Sequence, residues 1–152
     1  MKVTQITDGL YIRGKFFDIQ QQDKRVALRK LGITYVVNLV RHEDWDLYQS
    51  AEIMYEHIPI SDGRLATPVA DKLTVLARRL AIHIKHGGGV LVFCNAGRNR
   101  SGLLAALILH ELYPISGNTA LGWVRRARPR AVANEHFARY LNSVGINTEA
   151  VL

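Results

Sequence analysis

Cysteine occurs once in the 152 residues, as Cys94. A lone thiol forms no internal disulfide and builds no cysteine-based zinc centre, and it suits a reducing, cytoplasmic setting. Long apolar runs are missing as well. The longest, Leu103 to Leu109, falls far short of the ~18 residues a membrane span needs and has the length of a buried helix. The opening stretch MKVTQITDGL shows neither an apolar core nor a small-residue cleavage site, so no secretory signal is expected. Acidic residues are scarce beside basic ones, 13 against 20, which leaves a net charge of +7. That excess reads either as a solvated basic surface or as attraction for anionic partners: phosphorylated proteins, phosphoinositides, polyphosphates or nucleic acid. The densest basic run, RRARPR from Arg125 to Arg130, comes without zinc-finger spacing or interleaved aromatics. No motif therefore supports a nucleic-acid module.

What is present is alternation of strand and helix patterns, which argues for an α/β fold in one domain over residues 1–152. Short strand patterns fall at Val3–Ile6 and Leu10–Arg13. ALRKLGITYVVNLV reads as a helix ending at Leu31, a Gly32 cap and a strand over Tyr35–Val40. Met54–Ile60 reads as another strand, ending in the turn SDGR. Thr67 and Pro68 open a helix with Val69, Leu73, Leu76 and Leu80 on one face, and the three glycines from Gly87 to Gly89 close it. Val90–Phe93 is a continuous apolar strand of the kind buried on both faces of a parallel sheet, and Leu103–Leu112 is a helix apolar almost all round. Two helices follow, one from about Ser116 to Arg128 before Pro129, the other after Asn134 and stopped by Gly145. The expected architecture is a central, mainly parallel sheet of about four to five strands with helices on both faces.

Cys94 stands at the carboxyl end of the apolar strand, where open α/β sheets bind their ligands. The loop Asn95–Arg100 follows, and Ser101 lies where a helix begins. Amides in such a loop form an anion nest, the helix N-terminus adds positive potential, and Arg100 supplies a planar fork for two phosphate oxygens. The same field favours the thiolate. The competing reading of Cys94 is a small buried hydrophobe.

The loop CNAGRNRS resembles the cysteine–five residues–arginine signature of the protein tyrosine phosphatases, followed by that family's usual Ser or Thr. The length and flanking patterns resemble the small dual-specificity branch, including its bacterial and phage-type members. KLGITYVVNLV is similar to that branch's helix-to-strand entry and VRRARPRAVANEHFARYL to its closing segment. A cysteine two-thirds along the chain, with the candidate acid upstream, differs from the order in low-molecular-weight phosphatases.

The resemblance implies a metal-independent, cofactor-free phosphomonoester hydrolase acting on a phosphorylated protein through a phosphocysteine. Cys94 is then the nucleophile. Arg100 and the loop residues Asn95, Ala96, Gly97, Arg98 and Asn99 hold the phosphate, and Ser101 hydrogen-bonds the departing thiolate. Ser101 also reads as a helix cap. Asp62, 32 positions before Cys94 in SDGR, matches the family's general acid, although an Asp-Gly turn without chemistry explains the same residues. Asp44 and Asp46 are the fallback acids. Phe93 departs from the family, which has His before the nucleophile, so a less readily formed thiolate and slower turnover at acidic pH are expected. Arg98 is a second departure, either deepening the positive field or facing solvent.

Among other residues, His83 and His86 have a spacing usable by a metal but no third ligand in view. Trp45 and Tyr48 are candidates for a wall against a phosphotyrosine ring, or for loop anchors. Arg64 beside Asp62 either meets substrate anions or is simply exposed. Two rival functions remain: a phosphoinositide phosphatase or RNA 5′-triphosphatase on the same fold, suggested by the charge, Arg98 and Asn99; and a phosphate-binding pseudophosphatase, suggested by Phe93.

Overall fold

A computed structural model describes residues 3–14, 21–41 and 52–152. Asp44, Trp45, Asp46 and Tyr48 lie outside them. Five strands form one sheet: β1 (Thr4–Thr7), β2 (Leu10–Arg13), β3 (Ile33–Asn38), β4 (Met54–His57) and β5 (Gly89–Phe93), in the order β1-β2-β5-β3-β4. β1 and β2 are an antiparallel hairpin turned at Gly9; every other pairing is parallel. The expected mainly parallel sheet is therefore present, with one antiparallel edge.

The register matters more than the count. Arg13 pairs with Phe93, Phe93 with Asn38, and Asn38 with His57. Four strands thus end on one line, and whatever follows each of them emerges at the same edge. β5 sits in the middle and is buried at all five positions, so both sheet faces are covered there. This is why its sequence carries no alternation.

The helices are α1 (Gln21–Lys30), α2 (Thr67–Lys85), α3 (Arg100–Leu112), α4 (Gly117–Ala127) and α5 (Glu135–Asn142). Gly32, at φ +71°, reverses the chain from α1 into β3, as the sequence suggests. The stripe on α2 is confirmed at Leu73, Leu76 and Leu80, joined by Ala70, Ala77 and Ala81. Thr67 is not its cap. Ala66 holds that position without a side-chain bond, and its carbonyl takes the amides of Val69 and Ala70. Pro68, having no N–H, leaves one fewer donor to satisfy there.

α3 packs against α2, α4, β2 and β5, and from Ser101 to Leu109 no residue is exposed. Ser116 caps α4 through the Thr119 amide. α5 is capped by Asn134, whose Oδ1 accepts from the amides of His136 and Phe137, and it buries Phe137 and Leu141. It ends at Ser143, two residues before the Gly145 expected to stop it. β4 is also shorter than expected as a regular strand. The Ile58 and Ile60 amides nevertheless still bond to the carbonyls of Asn38 and Leu39, so the chain stays parallel to β3 up to the turn carrying Asp62. No helix among the described residues is long and apolar enough to cross a membrane.

Candidate active site

Cys94 follows β5 at the common strand edge and is 2% exposed. Its Sγ lies 3.2 Å from the Ser101 hydroxyl, which is itself fully buried. Ser101 is not the helix cap that one reading of the sequence makes it. α3 begins at Arg100, and the capping position belongs to Asn99, whose side chain makes no cap bond. The Ser101 hydroxyl is thereby left to the sulfur.

Between Cys94 and Arg100 the backbone turns sharply back. Gly97 adopts φ +66°, and a Cβ there would stand 2.4 Å from the Arg13 carbonyl carbon and 2.5 Å from the Gly14 nitrogen. Gly14 meets the loop from the other side, where a Cβ would stand 2.8 Å from Asn95 O. Loop and β2 exit are therefore packed backbone on backbone, a fit open only to glycine.

Three of the loop's carbonyls are occupied. Ala96 O accepts from Arg128 Nη2 at 3.0 Å, Arg98 O from the amides of Gly102 and Val132, and Asn99 O from the Leu103 amide. The amides of Asn95, Ala96, Gly97, Arg98 and Asn99 donate to no protein acceptor among the described residues. Amides left unused along a tight loop, with Gly97 at positive φ, suit an anion nest.

Arg100 closes the cradle. Its Nη1 donates to Ile60 O at 3.2 Å, while its buried Nε has no partner. An orphan guanidinium donor costs free energy unless a ligand accepts from it. Arg100 and Asn95 line a cleft of about 650 Å³ with Val40, Arg41, Ile60 and Asp62. The Arg98 side chain does not line it.

Asp62 is exposed on the rim, brought there by the extension of β4. Both its oxygens are engaged: Oδ2 accepts from Asn99 Nδ2 at 3.1 Å and Oδ1 from Asn134 Nδ2 at 2.9 Å. Asn134 Nδ2 also reaches Gly63 O, and the Asn134 amide donates to Asn99 Oδ1. A ring of three polar side chains thus ties the carboxylate to the anion loop and to the start of α5. Phe93 is buried behind Cys94, 1% exposed.

The structure gathers Cys94, Arg100, Ser101, Asp62, Asn95 and Asn99 at one edge, with Ala96 and Gly97 contributing backbone. Sequence reasoning missed four contributors: Gly14, Arg41, Arg128 and the Asn134 contact with Asp62. His83 and His86 do not converge. The Thr34 hydroxyl lies 2.7 Å from His83 Nε2, whereas His86 Nδ1 faces Ile82 O, and burial lowers the His83 pKa from 6.5. Among the described residues no cluster of three or more His, Cys, Asp or Glu side chains could hold a metal.

The profile of the family described as dual specificity phosphatase, catalytic domain, matches residues 16–146. The chain is 32% identical over 121 residues to the dual specificity protein phosphatase Mpk3 of Drosophila melanogaster, covering 77% of this chain and 28% of that protein. It is 35% identical over 83 residues to cyclin-dependent kinase inhibitor 3 of Mus musculus, covering 55% and 38% respectively. It thus spans well under half the length of either relative. The fold is shared with the crystal structure of Tk-PTP in its active form, at a TM-score of 0.76 and 24% identity over 92% of this chain and 93% of that one. It is shared also with human DUSP28, at 0.76 and 21% over 92% and 90%, and with Cydia pomonella PTP-2 phosphatase, at 0.77 and 24% over 91% and 87%.

Proposed function

We propose, from the premise that the chain belongs to the dual specificity phosphatase catalytic-domain family, that residues 1–152 act as one catalytic domain hydrolysing phosphomonoesters on proteins. One arrangement carries this reading: a buried thiol under five unused loop amides, beside a guanidinium whose Nε lacks a partner. It suits a tetrahedral dianion held over sulfur.

The Cys94 thiolate attacks phosphorus as the bond to the substrate oxygen breaks, and Asp62 gives that oxygen a proton. Charge on the equatorial oxygens meets the loop amides and Arg100, donors fixed before substrate arrives. Water then attacks the phosphocysteine and loses its proton to Asp62, and the sulfur departs as thiolate, accepting a hydrogen bond from Ser101. The products are the free hydroxyl and inorganic phosphate, with no metal required. The cleft, open to solvent, suits phosphotyrosine and also phosphoserine or phosphothreonine. We assign the protein to the cytoplasm, where a lone catalytic thiol stays reduced.

The test is release of phosphate from an aryl and an alkyl phosphate, in chelator, from acidic to alkaline pH. Cys94→Ser should fall to background. Asp62→Asn should lose about 100-fold with the alkyl ester, whose leaving group needs the proton, and less with the aryl ester. Turnover should decline toward acidic pH, since Phe93 offers the loop no polar atom. A wild type that binds phosphate or vanadate but turns over neither ester overturns the reading in favour of a phosphate-binding module.

A further inference from the structure

The cleft beside Arg100 is not isolated. Asp62 lines both it and a second hollow of about 420 Å³ bounded by Asn134, Glu135 and His136. His136 in turn lines both that hollow and a third, of about 500 Å³, formed with Arg64, Leu65, Arg139 and Tyr140. Lining residues held in common set the three side by side, a shallow trough from the Arg100 cleft past the Asp62 carboxylate to a cationic end.

The chemistry of that end is specific. Arg64 is exposed and pairs with nothing among the described residues. Arg139 spends only its Nε, on Glu135 O at 3.4 Å, which leaves both terminal nitrogens unused. The nearby acids form no ion pair with them: Asp62 bonds Asn99 and Asn134 instead, and Glu135 reaches neither guanidinium through its carboxylate. Leu65 and Tyr140, both half-buried, give the hollow an apolar wall, with the Tyr140 hydroxyl 3.5 Å from Thr74 Oγ1. Two unpaired guanidiniums against an apolar wall match a side chain with a methylene stem and an anionic head. A bare polyanion would leave the wall unused.

Resting on the phosphatase reading above, we propose that Arg64 and Arg139 form a subsite for an anionic side chain, glutamate or a second phosphorylated residue, near the scissile phosphoresidue of a peptide substrate. An extended peptide advances about 3.3 Å per residue, so the trough is occupied by a few neighbouring positions. The subsite then selects among phosphoproteins without touching the reacting atoms.

The experiment compares an aryl phosphate with four phosphotyrosine peptides. One has alanine flanks, one carries glutamates before the phosphotyrosine, one carries them after it, and one bears a second phosphate. Triphosphate-ended RNA is run alongside. Wild type should prefer one acidic or doubly phosphorylated peptide over the alanine peptide by about tenfold in kcat/KM, through KM, with the preference fading as salt rises. Arg64→Ala/Arg139→Ala should abolish that preference while leaving the aryl phosphate and the alanine peptide unchanged. Equal treatment of all peptides by wild type, or a uniform loss in the double variant, overturns the subsite. So does an arginine effect confined to RNA. Should the aryl phosphate itself go unhydrolysed, the catalytic reading fails instead. Peptide binding to Cys94→Ser, measured by fluorescence anisotropy with and without the two arginines, then still decides the subsite on the same pattern.

Discussion

Gly97 concentrates two demands in one residue. Its φ of +66° is disfavoured for any residue bearing a Cβ, and the space a Cβ would need is taken by the backbone of Arg13 and Gly14. Neither neighbour is the flexible end of a side chain, so relief must come from moving β2 or the anion loop. Gly97→Ala is therefore expected to destabilise the protein by about 1–3 kcal/mol in chemical denaturation. It should also depress kcat more than tenfold, because the loop amides lose their aim. A variant with wild-type turnover would show that the loop tolerates displacement and that amide geometry is not what holds the phosphate. Cys94 and Ser101 make the same point more quietly: the hydroxyl is 3.2 Å from sulfur only because Ser101 sits inside the first turn of α3, where capping makes no claim on it.

At the scale of elements, the site is an edge where strands end in register, braced from behind by a basic run. Arg128 bridges the anion loop and β1, donating to Ala96 O at 3.0 Å and Thr4 Oγ1 at 3.1 Å, while Arg125 holds the carbonyls of Ala131 and Val132. Lysine in place of Arg128 brings a single ammonium that cannot span both acceptors. Arg128→Lys should cost about 1 kcal/mol of stability and lower kcat roughly tenfold, with weaker vanadate binding as the sign that the cradle itself has loosened. Unaltered vanadate affinity would reduce the brace to ordinary packing. The contrast with Cys94 explains what the sequence discloses. Cys94, Arg100 and the glycine between them are legible because phosphate chemistry fixes their spacing within one loop. Arg128 is not, because arginines in a basic run look like surface until their acceptors are known. Asn134 hides for a different reason: capping α5 accounts for it fully, and its contact with Asp62 joins positions 72 apart that no local pattern links. The parallel core strands were readable from apolar runs, whereas the ends of α2 and α5 slipped because Thr67 and Gly145 are plausible caps that backbone carbonyls and Ser143 replace.

Across the whole molecule, α2 is fastened to the sheet by a polar cluster remote from the site, and that cluster makes stability depend on pH. The Tyr35 hydroxyl donates to Glu56 at 3.1 Å, Arg79 pairs with the same carboxylate at 2.8 Å, and the His83 ring meets Tyr35 edge-on with centroids 5.3 Å apart. Burial raises the Tyr35 pKa to about 12, with the Glu56 charge adding to it, and lowers that of His83 from 6.5. The Thr34 hydroxyl can serve Nε2 as donor or acceptor, so it is burial, by withholding solvation from the protonated ring, that disfavours the charged form. The sign follows from linkage. In the unfolded chain His83 takes up its proton around pH 6.5, whereas in the folded protein it does so only at lower pH. The unfolded state thus binds more protons in that interval, and stability present above pH 6.5 is lost as pH falls through the folded value. Denaturation midpoints at constant ionic strength should decline on acidification in wild type and decline less steeply in His83→Gln, whose amide keeps a partner for Thr34 without taking a proton. Identical slopes would mean that the ring is as well solvated folded as unfolded, and that the α2 attachment is indifferent to its charge.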